Sequence, residues 1–87
     1  MSNFKRSSLG VITEDIVYLT ASEKGYEAFG KTTEGSKMVI SFRRKDLDGV
    51  IADAAKAAQL IANMRKREVR LDFLSERIEL FYPDDAN

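Results

Sequence analysis

The commonest catalytic side chains are missing from this sequence: among its 87 residues there is no histidine and no cysteine. That removes Ser-His-Asp and Cys-His arrangements, the usual zinc ligand sets, and the side chain that most readily acts as a general base near neutral pH. Carboxylates, lysines, tyrosines and serines remain. Glu14-Asp15 and Asp84-Asp85 are adjacent pairs, but neighbours on a strand point to opposite faces, so neither pair reads as a general acid and base. Asp46, Asp48 and Asp53 lie along the start of a predicted helix, where capping and the helix dipole account for them. They lack the spacing of a loop that holds a hard cation. Gly25, Gly30 and Gly35 are isolated by strand-like residues, whereas a phosphate loop groups its glycines ahead of a helix. The expectation is a protein without catalysis, cofactor or metal.

The charged residues offer binding chemistry instead. Fourteen basic and 14 acidic residues give a formal net charge of zero, which argues against a general nucleic-acid binder. The neutrality conceals a separation. Residues 37–70 hold nine basic and four acidic residues, a net of +5, while residues 71–87 hold five acids and only Arg77, a net of −4. Two basic clusters, Arg43-Arg44-Lys45 and Arg65-Lys66-Arg67, flank the predicted helix and lie about 27–30 Å apart along its axis. They form two patches, suited to carboxylate or phosphate. The aromatic residues do not mark a stacking platform of the kind that binds single-stranded nucleic acid. Tyr26, Phe42 and Tyr82 could share a sheet face with Ile16, Met38, Ile40, Leu71 and Ile78, and that mixture reads as core beneath a helix.

The elements that position these residues follow from periodicity. Strands are predicted around Ile16–Thr20, with a possible start at Val11, then over Tyr26–Lys31 and Lys37–Arg43, joined by turns short enough for a meander. Leu47, Val50, Ile51, Ala54, Ala58 and Ile61 recur at spacings of three and four, which defines a helix capped by Asp46. Six alanines between residues 52 and 62 favour that helix and let its backbone approach a sheet. Val69, Leu71 and Phe73 alternate with polar residues, and Ile78, Leu80 and Tyr82 repeat the pattern before Pro83. The expected fold is α+β in the order β-β-β-α-β-β, an antiparallel sheet with one long helix packed on one face. It forms a single domain over residues 1–87, with a loose arm at 1–8 and an acidic tail at 84–87. Met1 to Gly10 has no apolar signal segment, and no apolar run nears the ~20 residues that span a bilayer. A cytoplasmic protein is expected.

One helix covers one face of a sheet. With Tyr26, Met38, Ile40 and Phe42 toward the helix, alternation sends Phe29 and Val39 to the second face, and the reading adds Val17, Leu19 and Phe81 there. The N-terminal arm could cover that face with Phe4, Leu9 and Val11; otherwise a second copy or a partner must. The functional expectation is therefore a small non-enzymatic binding protein that acts through protein–protein interaction, as an inhibitor, adaptor or assembly factor. Such economy would suit a phage or mobile element acting on a host complex, in the host cytoplasm. A symmetric homodimer is the simplest version of the interface, and strand addition at a free edge is another. The expected contact residues are Arg43, Arg44, Lys45, Arg65, Lys66, Arg67 and Phe29. The alternative is a nucleic-acid-binding module that uses the basic clusters at the two helix ends.

Overall fold

A computed structural model describes residues 6–84. It contains five strands and one helix: β1 (Ile16–Ser22), β2 (Gly25–Lys31), β3 (Lys37–Arg44), α1 (Leu47–Arg65), β4 (Val69–Phe73) and β5 (Arg77–Phe81). The expected order β-β-β-α-β-β is therefore the observed one. Of the arm expected over residues 1–8, residues 1–5 lie outside the described residues, and Arg6 opens a 3-10 segment that runs to Val11. Of the tail, residues 85–87 lie outside them as well.

The strands form one sheet in the order β3-β2-β1-β4-β5. Three pairings are antiparallel, whereas β1 and β4 run parallel, with Val17 opposite Leu71 and Leu19 opposite Phe73. The sheet is thus mixed, for a topological reason. β3 is parallel to β1 because two hairpin reversals separate them; α1 then carries the chain back across the sheet, and β4 re-enters in the direction of β3. Tight turns of the meander sit at glycines with positive φ, Gly25 at 125° and Gly35 at 81°.

Asp46 caps α1, its Oδ1 accepting from the Gly49 amide at 3.1 Å. The helix ends at Lys66, which takes a left-handed conformation and donates its amide to the Ala62 carbonyl. Val50, Ala54, Ala57, Ala58, Ile61 and Ala62 are buried along the sheet-facing stripe. Against them pack Val17, Leu19, Ala28, Ile40, Val69, Leu71 and Phe73. Small alanines at the contact let helix and sheet approach closely.

Two expectations about facing are corrected here. Val17 and Leu19 are fully buried on the helix side, and Phe81 packs against the same core. Ile16 and Ile78 belong to the opposite face, in phase with Tyr18 and Leu80. In β1 both alternating sets are apolar, so the strand's own pattern carries no phase; pairing with β4 supplies it. The N-terminal segment also takes the helix side. Leu9 and Ile12 join the core with no exposure, while Val11 is half exposed. Phe4 lies outside the described residues. Nothing among the described residues covers the other sheet face.

Candidate functional site

The uncovered face can be read as rows of directly opposed residues. One row crosses all five strands: Val39, Phe29, Tyr18, Asp72 and Ile78. Beside it Ile16 lies opposite Arg70, and Arg70 opposite Leu80, with Lys31 opposite Lys37 at the β2–β3 end. Apolar and charged side chains are therefore interleaved. On β5 the apolar ones are open to solvent, with Ile78 56% and Leu80 42% exposed.

Phe29 is in the expected place, but it is not an exposed anchor. Only 9% of it is accessible, and its ring stacks on Tyr18 at 5.4 Å between centroids and 21° between planes. The Lys37 ammonium lies 4.9 Å above the Phe29 ring, and the Lys31 ammonium 4.8 Å above Tyr18. Lys37 is held there by Glu27 at 2.8 Å. These ammonium groups cover both rings and are attracted to their electron-rich faces. The Tyr18 hydroxyl donates to Glu14 Oε1 at 2.9 Å. Burial, that hydrogen bond, and the negative charges of Glu14 and Asp72 all raise the phenol above its ordinary value of 10.

The basic cluster after the helix has tertiary partners. Arg65 Nη1 donates to Asp15 Oδ1 at 3.0 Å, and its Nη2 donates to the Ile12 carbonyl. Arg67 Nε lies 2.8 Å from Asp15 Oδ2. One carboxylate just before β1 thus accepts two guanidinium groups and ties the 3-10 segment to the helix end. Glu14 and Asp15 both precede β1 and take different partners, Tyr18 and the two arginines, so they act separately. Lys66 is exposed as the helix cap. At the other end Lys45 is exposed, while the side chains of Arg43 and Arg44 lie outside the described residues. The structure does not bring the two clusters together, because the 19-residue helix separates them.

β5 is positioned by an unusual turn. Leu74 and Ser75 both have positive φ, 53° and 60°, conformations that cost energy without glycine. The Glu76 amide donates to the Phe73 carbonyl at 2.8 Å, and Asp72 Oδ1 accepts from the Ser75 amide at 2.9 Å. At the strand's far end, Gln59 donates to the Tyr82 carbonyl at 2.7 Å, and Asn63 accepts from the Asp84 amide at 2.8 Å. Both ends of β5 are fastened, so its exposed edge is held in place. Arg77 lies over the Phe73 ring at 4.3 Å. With Leu47, Ile51, Leu74 and Glu76 these two residues line an open depression of about 350 Å³ between helix and sheet.

Tyr18, Lys31, Lys37, Ile78 and Leu80 were not singled out by sequence reasoning as contact residues. The signal available was the strand alternation of Phe29 with Lys31, extended across the sheet once the strand order is known. Among the described residues no group of three or more carboxylates is placed to hold a metal ion, and no helix is long and apolar enough to cross a membrane. Comparison with models of known protein families, with curated proteins and with solved structures found no match to this chain.

Proposed function

We propose that this chain is a non-catalytic binding module that docks a protein through its open sheet face. The observation that carries the reading is the five-strand face left uncovered by helix and N-terminal segment alike, with apolar side chains on β1, β3 and β5. A protein surface suits this face better than nucleic acid does. Its basic residues alternate with Glu14, Glu27 and Asp72, Lys37 is engaged by Glu27, and the aromatic rings are already covered by ammonium groups. Single-strand binders need the reverse, bare rings in a basic groove. Protein interfaces combine apolar contact with charged groups that supply selectivity. The module then works by occupying a surface on something larger, as an inhibitor, adaptor or assembly factor does.

The test is affinity capture from the native cell with the full chain, in parallel with Ile16→Glu and Val39→Glu, both on the open face. Wild type should retain a defined protein after nuclease treatment, and each variant should lose it at least tenfold while keeping the wild-type circular dichroism spectrum. Equal capture by all three chains would refute the face assignment. So would retention of nucleic acid alone, weakening steeply with salt.

A further inference from the structure

The two edges of the sheet are built differently. β3 starts at Lys37, ends in Arg43-Arg44, and pairs with β2 through register shifts between Tyr26 and Phe29. Lysine and bulges are devices that keep an edge from pairing with another chain. β5 has neither. Its register with β4 is uninterrupted from Arg77 to Phe81, those five residues include no lysine or proline, and four of the five are exposed. Its open-face side chains, Ile78 and Leu80, are apolar.

On its helix side β5 carries Arg77 and Glu79, opposite charges two residues apart. Neither has an ion-pair partner among the described residues. An antiparallel pairing of β5 with itself about a two-fold axis must place a single residue on that axis. With the axis at Glu79, two carboxylates face each other, which is unfavourable. With the axis at Leu80, the ladder needs Tyr82 and Pro83, but the Tyr82 carbonyl already accepts from Gln59 and proline has no amide to donate. With the axis at Ile78, Arg77 faces Glu79 of the other copy twice, Ile78 faces Ile78, and each Leu80 lies diagonal to Ile78 across the axis. Of these three registers, this alone sets Arg77 opposite Glu79. Its ladder is short, centred on residues 77–79, because the next pair sets Leu80 opposite Glu76, whose amide already donates to the Phe73 carbonyl.

From this we infer that the partner of β5 is a second copy of the chain, paired antiparallel about an axis at Ile78 so that one continuous sheet crosses both molecules. The inference rests on the reading of the chain as a protein-binding module and names one of its partners. It also doubles the open face, presenting two equivalent surfaces on one side of the extended sheet.

Light scattering and sedimentation equilibrium of the full chain should give a dimer in the micromolar range. Arg77→Glu and Glu79→Arg should each weaken the dimer at least tenfold, because each sets like charges opposite one another. The double variant Arg77→Glu/Glu79→Arg should recover wild-type association. An equimolar mixture of the two single variants should form a heterodimer tighter than either alone. Ile78→Lys, which sets two cations on the axis, should dissociate the dimer while the thermal melt of the monomer persists. A wild type that stays monomeric at its solubility limit overturns the inference, as do single variants that remain dimeric or a double variant that does not recover. Ile16→Glu and Val39→Glu lie away from β5 and should leave the dimer intact. If the wild type is monomeric while these two variants still abolish protein capture, the second copy is excluded and the binding module stands.

Discussion

Replacing Gly30 with alanine tests where the N-terminal segment sits, and hence whether the open sheet face is free. A Cβ at Gly30 would lie 2.5 Å from Ile12 Cδ1 and 2.7 Å from both Cγ1 and Cγ2. Carbon atoms in contact prefer about 3.5–4.0 Å. Ile12 is fully buried, and its branched side chain has little rotamer freedom with which to yield. Overpacking of this kind costs about 1–3 kcal/mol, offset by about 0.5–1 kcal/mol for removing a glycine from a strand. A net loss of roughly 1–2 kcal/mol is expected, which lowers the melting temperature by about 4–16 °C in a domain of this size. Ile12→Ala alone should cost about 2–5 kcal/mol. In that background the new methyl at residue 30 enters vacated space, so Gly30→Ala should cost nothing or restore part of the loss. Urea denaturation of the four proteins, with unchanged m-values, gives the coupling directly. Costs that add to within about 0.5 kcal/mol would refute the contact. The N-terminal segment would then be free to lie elsewhere, the open face included, and the case for an external partner would weaken.

The Asp15 clamp divides the two arginines after the helix. Arg65→Ala should destabilise the fold by about 1.5–3 kcal/mol, because a charge-assisted hydrogen bond and the Ile12 carbonyl's donor are lost at a side chain only 17% exposed. Arg67→Ala, at 60% exposure, should cost less than about 1 kcal/mol; equal losses in urea melts would count against the assignment. Spectrophotometric titration of tyrosine should show Tyr18 ionising above the ordinary value of 10, and Tyr18→Phe should remove that late step. The folded-state value is raised, so the unfolded chain releases its proton first. The stabilisation is complete below about pH 10 and is lost as pH climbs through the folded value; Tyr18→Phe should flatten that decline.

Much of the architecture was legible in the sequence because it is written locally. The three-and-four spacing of Leu47 to Ile61, the Asp46 cap and the alanine run define α1 without reference to anything outside it. Gly25 and Gly35 mark the first two turns, and the single-residue alternation of Val69, Leu71 and Phe73 phases β4. The missing histidine and cysteine likewise narrow the available chemistry from composition alone. The contact surface is another matter. β1 is apolar on both sides, so its helix-facing set, Val17 and Leu19, was fixed only when β4 paired with it in parallel. The turn at Leu74-Ser75 has no glycine to announce its left-handed backbone, and it is held by Asp72, a side chain from the preceding strand. Arg65 and Arg67 read as a free basic cluster until folding brings Asp15 from fifty residues away. Helix, turn and alternation are set by neighbours along the chain. Which face stays open, which edge stays unprotected and which charges find partners depend on contacts between distant residues, and only the tertiary structure decides them.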